Sequence, residues 1–269
     1  MKESAINNAY ATFVGEELYK IKKKKETFKL INDGITKKER ICSFLMIGQS
    51  NMAGRGDFGE VEPIKNKKCF MLRMGRWQPM SEPINPDRAI LETDFHSGIG
   101  LAASFADELS KYSGCEIGLI PCADGGTKIK QWQPGELLYD HAVAMAKLAM
   151  RTSDLCGIIW HQGESDCHQI NEEEYRKDFL NVMTSLRKDI GENLPIIIGE
   201  ISDKITDNWK VDSVEKMNIL LHKLQNELPM CAIVSVDGLE LKPDGLHFNS
   251  KSCRELGKRY FEKYKDIFL

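Results

Sequence analysis

Residues 41–54 read Ile-Cys-Ser-Phe-Leu-Met-Ile-Gly-Gln-Ser-Asn-Met-Ala-Gly. The run Ile41–Ile47 is apolar almost throughout, and it ends at Gly48, after which the sequence becomes polar. A short continuous apolar run bounded by glycine is typical of a strand buried on both faces of a parallel sheet. The stretch therefore predicts a central strand with a polar loop, carrying Ser50, directly after its carboxyl end.

The same alternation continues to the C-terminus. Four more apolar runs are predicted as strands, at Glu116–Pro121, Gly157–His161, Pro195–Ile201 and Cys231–Val236. Between the runs, apolar residues recur at helical spacing, and Asn171 with Glu174 three residues later is typical of a helix start. Strands that alternate with helices favour a three-layer, doubly wound, flavodoxin-like α/β fold. We expect a five-stranded, mainly parallel sheet within one domain at residues 41–269.

Two stretches do not fit this repeat. Residues 1–40 are expected to be an N-terminal extension, with a helix at Ala5–Lys20 followed by a basic strand or hairpin. Residues 54–98 form a long insertion in which Phe70–Arg73, the pair Met74-Gly75 and Trp77 suggest a small hairpin. The sequence does not indicate an oligomeric state.

Composition excludes several classes of protein. The 269 residues carry 37 Lys and Arg against 40 Asp and Glu, and this near balance argues against a nucleic-acid partner reached through a broad basic surface. The longest apolar runs are far shorter than the ~20 residues of a membrane-spanning helix. The eight cysteines form no CxxC pair, and the first residues contain no apolar segment typical of a signal peptide. These features predict a cytoplasmic, reduced protein with no membrane partner.

Polar, glycine-rich segments follow four of the predicted strands. In a parallel sheet, ligands bind beyond the carboxyl ends of the strands, so these segments are expected to form one site. They are Gly48–Arg55, Asp124–Thr127, Gln162–Asp166 and, after the last strand, Asp237–His247.

Ser50 and His247 are the candidate nucleophile and base. A serine in a tight turn after a strand presents its hydroxyl at the sheet edge, but it needs a neighbouring base to react. Position 52 is Met, so the motif is not the G-x-S-x-G elbow, and for Ser50 considered alone a helix cap is the favoured explanation. His247 follows Asp244 by three residues, so one loop can present an imidazole and the carboxylate that orients it. A structural histidine is the alternative.

Three groups are candidate donors to an oxyanion: the backbone N–H groups of Ser50 and Gly125 and the side-chain amide of Gln162. An ordinary turn is the alternative for Gly125-Gly126. His161 and His168 flank the Gln162 loop without the spacing of a zinc site, so we expect neither a metal nor another cofactor.

Substrate contacts are expected from residues beside these groups. Trp132, in the loop after Asp124–Thr127, is predicted to stack on a sugar ring, with local packing as the alternative. The other predicted contacts are Gln49, Asn51, Arg55 and Trp77.

The four motifs together resemble those of SGNH hydrolases. Gly48–Met52, Gly125–Thr127, Trp160–Glu164 and Asp244–His247 are similar to the sequence blocks of the carbohydrate acetylesterase branch, which includes carbohydrate esterase family 6, related acetylxylan esterases and sialate O-acetylesterase-like proteins. The resemblance begins near Ile41 and extends to the C-terminus.

The resemblance implies a role for each matching residue. Ser50 corresponds to the nucleophile, His247 to the base, Asp244 to its partner carboxylate and Gly125 to an oxyanion donor. Gln162 occupies the position where many SGNH relatives have Asn. Glu164 is a second candidate for the acid, and the sequence leaves the choice between it and Asp244 open, although the three-residue spacing favours Asp244.

The function implied is removal of O-acetyl groups from small acetylated carbohydrates, such as xylo-oligosaccharides or sialic-acid-like sugars, through an acetyl-serine intermediate. Two alternatives remain at this point. One is a catalytically silent carbohydrate-binding protein, and the other is an esterase or thioesterase of different acyl specificity on the same fold.

Overall fold

A computed structural model describes residues 40–86, 96–209 and 211–269 of the chain. The helix predicted at Ala5–Lys20 and the basic segment after it lie outside these residues, as does part of the insertion, residues 87–95.

The described residues form a seven-stranded sheet rather than the five-stranded one expected from the sequence. The strand order is β3-β2-β4-β1-β5-β6-β7, and every neighbouring pair is parallel except β2 and β3. The strands are β1 Ile41–Gly48, β2 Cys69–Arg73, β3 Arg76–Pro79, β4 Ile117–Pro121, β5 Ser153–His161, β6 Ile196–Gly199 and β7 Cys231–Val234. The predicted α/β class and mainly parallel sheet are confirmed.

The two extra strands are the hairpin predicted inside the insertion. Strand β2 pairs with β4, so the hairpin extends the main sheet instead of standing apart from it. Its pairing partner lies more than 40 residues further along the chain, and no local pattern in the hairpin itself identifies that partner. The expected strand count was wrong for this reason.

Helices cover both faces of the sheet. They are α1 Ser50–Ala53, α2 Leu101–Ser113, α3 Leu137–Ala149, α4 Glu172–Ile190, α5 Val214–Glu227 and α6 Ser250–Phe268. Alternate residues of β1 point to opposite faces. Phe44 and Met46 pack in the core layer that includes residues of α2 and α6, whereas Leu45 and Ile47 pack in the layer that includes residues of α3, α4 and α5. Burial of both faces explains why β1 is a continuous apolar run rather than an alternating one.

This topology brings the predicted site loops to one edge. β1 lies between β4 and β5, so the polar segments that follow these three strands leave the sheet side by side. No helix in the described part of the chain is long and apolar enough to cross a bilayer.

Candidate active site

The turn after β1 places Ser50 at the start of a short helix. Gly48 has a φ of 138°, and a Cβ there would lie 2.2 Å from the carbonyl oxygen of His161 on the neighbouring strand. Only glycine allows the two backbones to approach this closely. The N–H of Gln49 donates to the same carbonyl at 2.9 Å, and α1 begins at Ser50, whose exposed fraction is 5%.

A turn at Lys242–His247 carries the candidate base. Gly245 has a φ of 69°, and its N–H donates to the carbonyl of Lys242. Asp244 Oδ1 accepts hydrogen bonds from the backbone N–H groups of Leu246 at 2.9 Å and His247 at 3.0 Å. This Asx-type turn fixes the position of the Asp244 carboxylate independently of its contact with the imidazole.

Asp244, His247 and Ser50 form a continuous hydrogen-bonded chain. Asp244 Oδ2 lies 2.9 Å from His247 Nδ1, and His247 Nε2 lies 2.9 Å from Ser50 Oγ. A carboxylate on Nδ1 favours the tautomer with the proton on Nδ1, which leaves Nε2 as an acceptor for the serine hydroxyl. The structure brings these three predicted residues together.

The environment shifts the pKa values of both titratable members. Burial lowers the pKa of His247 below its ordinary value, and the hydrogen bond and charge of Asp244 oppose this only in part. Burial alone would raise the pKa of Asp244, but hydrogen bonds from the His247 and Leu246 backbones and from the imidazole outweigh it and lower the pKa overall. A neutral imidazole next to an ionised carboxylate is the state that a general base requires.

Two cavities meet at His247. The smaller, of about 240 Å³, contains Ser50, Gly125, Leu246 and Val211 in its wall. The larger, of about 400 Å³, is lined in part by Phe58, His96 and Lys242. We call the smaller cavity the acyl chamber and the larger one the outer chamber. Both are lined by Arg55, Trp209 and His247.

Gly125 and Arg55 line the same chamber as Ser50. A Cβ at Gly125 would stand 3.5 Å from Ser50 Cβ and 2.6 Å from Arg55 Nη2, so the glycine backbone lies directly beside the serine. Gln49 also lines the acyl chamber, but its Oε1 faces the loop after β5 and accepts from the N–H of Ser165 at 3.3 Å.

Gln162 does not face the cavity. Its side chain is fully buried, and Nε2 donates to the carbonyl of Thr127 at 2.9 Å and to Asp166 Oδ2 at 2.6 Å. Both amide hydrogens are therefore used inside the protein. The expectation that this amide donates to an oxyanion is contradicted.

Trp132 and Trp77 do not line the described cavities either. Trp132 has an exposed fraction of 1%, packs edge-on against Trp160 and donates its Nε1 proton to Thr127 Oγ1 at 3.1 Å. Trp77 lies on β3, at one edge of the sheet, and bonds to Thr152. Sugar stacking by Trp132 is therefore wrong, and the alternative, local packing, is correct.

Asn51 is buried and does not line either cavity. Its amide instead bonds to Glu164 and to the backbone on either side of His247. The predicted substrate contact by Asn51 is contradicted for this reason.

Glu164 lines the acyl chamber but does not bond to His247. Asn51 Nδ2 donates to its Oε1 at 2.6 Å, and both ring nitrogens of His247 already have other partners. Burial raises the pKa of Glu164, against the opposing effect of the Asn51 hydrogen bond. Of the two acids left open by the sequence, Asp244 is the one in contact with the imidazole.

Sequence reasoning missed Trp209. This residue lies in a 3₁₀ turn at Asp207–Trp209, its exposed fraction is 44%, and its ring centre is 6.4 Å from that of His247. Nε1 donates to the backbone carbonyl of Asp244 at 2.7 Å. The only signal available in the sequence was a tryptophan in a polar segment after a predicted strand, and such a signal is weak.

No group of three or more His, Cys, Asp or Glu side chains in the described part of the chain is arranged to hold a metal ion. His161 is fully buried, and burial lowers its pKa to about 3. His168 is half-exposed and pairs with Asp212.

Comparison with known proteins identifies the family. The model of the family described as "Carbohydrate esterase, sialic acid-specific acetylesterase" matches residues 41–266. The chain belongs to this family. The esterase is also 31% identical over 248 residues to a protein of Arabidopsis thaliana named a probable carbohydrate esterase, a match that covers 84% of this chain and 90% of the relative.

Solved structures agree with this placement. The X-ray structure of the Arabidopsis protein superposes with a TM-score of 0.76 at 29% identity, covering 86% of the esterase and all of that chain. The crystal structure of NanS has a TM-score of 0.69 at 16% identity, with 86% and 98% covered, and at this identity it shows the shared fold only. The chain is therefore a carboxylic ester hydrolase of the carbohydrate O-acetylesterase type.

Proposed function

We propose that the esterase removes O-acetyl groups from carbohydrates through an acetyl-Ser50 intermediate, with His247 as the base and Asp244 as its partner. The observation that supports this most directly is the unbroken chain from Asp244 Oδ2 through the imidazole to Ser50 Oγ, with 2.9 Å at each step. This arrangement can activate a serine and stabilise the imidazolium that forms.

In the first half-reaction, Ser50 Oγ attacks the acetyl carbonyl carbon and its proton moves to His247 Nε2. The oxyanion then accepts hydrogen bonds from the backbone N–H groups of Ser50 and Gly125. When the intermediate collapses, the bond from the acetyl carbon to the sugar oxygen breaks, and His247 returns the proton to that oxygen. Water repeats the sequence on acetyl-Ser50, releasing acetate.

The two chambers suit the two parts of an acetylated sugar. The acyl chamber has Leu246 and Val211 in its wall and suits the acetyl methyl group, whereas the outer chamber is large enough for a sugar ring. The half-exposed ring of Trp209 lies where the chambers meet and offers a surface for that sugar.

The identity of the sugar is the finer part of the proposal. The family description names sialic acid, and Arg55 contributes a cation to both chambers that suits a sugar carboxylate. We therefore place O-acetylated sialic acid first and acetylated xylo-oligosaccharides second. The cytoplasmic location expected from the sequence remains a prediction.

The test compares wild type with Ser50→Ala in acetate release from acetylated sialic acid, acetylated xylo-oligosaccharides and p-nitrophenyl acetate. We expect Ser50→Ala to lower kcat by about 10³-fold or more, because the attacking oxygen is removed. Ser165→Ala, in the wall of the same chamber, is the matched control and should lower kcat less than about tenfold. Rapid quenching followed by mass spectrometry should find the acetyl group on Ser50 alone. Full activity of a folded Ser50→Ala protein would refute the mechanism.

A further inference from the structure

Asn51 connects the nucleophile to the backbone on both sides of the base. Its Oδ1 accepts from the N–H of Phe248 at 3.2 Å, and its Nδ2 lies 3.4 Å from the carbonyl oxygen of Leu246. Leu246 and Phe248 flank His247, and Asn51 directly follows Ser50 in α1. One buried amide therefore bonds α1 to the loop that places His247 Nε2.

Glu164 reinforces the orientation of this amide that the backbone of the His247 loop requires. An amide group has an acceptor end and a donor end, and the N–H of Phe248 requires the acceptor end. Glu164 Oε1, 2.6 Å from Nδ2, requires the donor end on the opposite side. Both side chains have exposed fractions of 3%, so water has little access to replace either bond.

We propose that Glu164 is a positioning residue that acts through Asn51 to hold the His247 loop, rather than a second acid for the imidazole. This inference rests on the proposed function, because it concerns the alignment of the same Ser50–His247 pair. It requires only that position 164 present a hydrogen-bond acceptor to Asn51 and does not require a negative charge.

The groups around Glu164 agree with this role. His161 Nε2 is 3.7 Å from Glu164 Oε1, but burial keeps His161 neutral, so it gives Glu164 no cation. The nearby Asp166 carboxyl further raises the pKa of Glu164. A carboxyl group in these surroundings is poorly suited to stabilise an imidazolium and well suited to accept one hydrogen bond.

Four variants remove, retain or reverse the hydrogen bond that Asn51 donates to Glu164. Glu164→Gln retains an acceptor for Asn51 and should lower kcat only about threefold. Glu164→Leu removes the acceptor and should lower kcat about 10²-fold, because a small displacement of the base has effects of this size. Asn51→Asp puts two carboxyl groups face to face and should lower kcat similarly.

The double variant Asn51→Asp/Glu164→Gln is the decisive one. The amide introduced at position 164 would now donate to the carboxylate introduced at position 51, whose other oxygen still accepts from the N–H of Phe248. The carbonyl of Leu246, 3.4 Å from Asn51 Nδ2 in wild type, loses that donor, so the rescue is expected to be incomplete. We expect kcat to return to within about tenfold of wild type, a rescue that a general loss of packing would not produce. KM for p-nitrophenyl acetate should change little in the whole series.

Hydrogen exchange of the Phe248 N–H gives a second measurement that does not depend on activity. Exchange should accelerate in Glu164→Leu and Asn51→Asp and slow again in the double variant. If Glu164→Leu does not fold, the comparison of Asn51→Asp with the double variant decides the question by the same two measurements.

The outcomes separate the two proposals. A loss in Glu164→Gln as large as in Glu164→Leu, or no rescue of kcat and Phe248 protection in the double variant, would overturn the positioning role. Failure of the proposed function would appear instead as Ser50→Ala retaining the activity of wild type, or as no activity in either, while the Phe248 exchange series still reports on the Glu164–Asn51 contact.

Discussion

Two loops each bring a carboxyl group to the neighbourhood of Ser50, but the surroundings of the two groups differ: Glu164 is 3% exposed, whereas the side chain of Asp244 is 32% exposed. In the turn at Lys242–His247, Asp244 accepts two backbone N–H groups and the imidazole, and its pKa falls. In the segment after β5, the Glu164 carboxyl group accepts from the Asn51 amide and from the local backbone, yet burial raises its pKa. The extent of burial, together with the hydrogen-bond donors around each group, distinguishes the two acids.

This difference assigns them different tasks. In the proposed mechanism, an ionised carboxylate stabilises the imidazolium that forms when Ser50 attacks, so the acid beside the base has to remain charged at neutral pH. Glu164 has a raised pKa and forms no ion pair with Lys or Arg in the described part of the chain, so it is better suited to be a fixed hydrogen-bond acceptor. The comparison predicts that charge matters at position 244 and that only hydrogen bonding matters at position 164.

Asp244→Asn is expected to have the largest effect. The Asn Oδ1 can still accept the two backbone N–H groups, but its NH₂ group then faces His247 Nδ1. This makes Nδ1 an acceptor and moves the ring proton to Nε2, where the imidazole can no longer accept the Ser50 proton. We expect kcat to fall by about 10³- to 10⁴-fold with p-nitrophenyl acetate.

Glu164→Gln is the matched control for Asp244→Asn, since each change replaces a carboxyl group by its amide. The proposed difference between Asp244 and Glu164 is refuted if the two variants lose similar activity. It is also refuted if Asp244→Asn remains within tenfold of wild type, since Asp244 would then not be the partner of the base.

Substitution of Trp209, which contacts Asp244, is expected to have a smaller effect on activity. Its ring lies across both chambers, while its Nε1 holds the carbonyl of Asp244. Trp209→Ala should raise KM for an acetylated sugar about three- to tenfold, since an aromatic contact contributes about 0.5–1.5 kcal/mol. KM for p-nitrophenyl acetate, whose leaving group is not a sugar, serves as the internal reference.

Trp209→Phe separates the two contacts of this residue, because Phe keeps a ring and loses the N–H. A Phe variant with wild-type KM and reduced kcat would mean that the bond to Asp244 is the important one. If even the Ala variant binds the sugar as tightly as wild type does, Trp209 is not a sugar-binding surface.

Sequence periodicity was enough to predict the layers of the fold. All five expected strands are present, although β5 begins at Ser153, four residues before the predicted Gly157. The helix start at Asn171 is also confirmed, since its side chain accepts from the N–H of Glu174. These features depend on residues close together in the chain, whereas addition of the hairpin to the sheet depends on a distant partner and could not be inferred locally.

The candidate site was predictable to the same degree. Spacing alone favoured Asp244 over Glu164, and the structure has Asp244 on the imidazole. The errors concern side-chain direction: Gln162 and Trp132 follow their strands as expected, yet both turn into the core, and Asn51 turns towards Glu164. A one-dimensional pattern indicates which loop a residue occupies, but the side it faces depends on three-dimensional packing.

The pH dependence of kcat/KM gives the finest test of the comparison. In the proposed mechanism His247 must be neutral to accept the Ser50 proton, so we expect activity to be lost as pH falls through its pKa in the free enzyme. Because burial lowers that pKa, with Asp244 opposing only in part, the acid limb should lie below the ordinary imidazole value of about 6.5.

Trp209→Ala should sharpen this measurement. Removing a ring that packs edge-on against His247 admits water, weakens the effect of burial and moves the acid limb back towards 6.5 by less than about one pH unit. Trp209→Phe, which keeps a ring in place, should shift the limb less. An acid limb above 6.5 in wild type would mean that the charge of Asp244 outweighs burial at His247. Asp244 would then differ from Glu164 chiefly because it raises the pKa of His247, and its own lowered pKa would be the lesser difference.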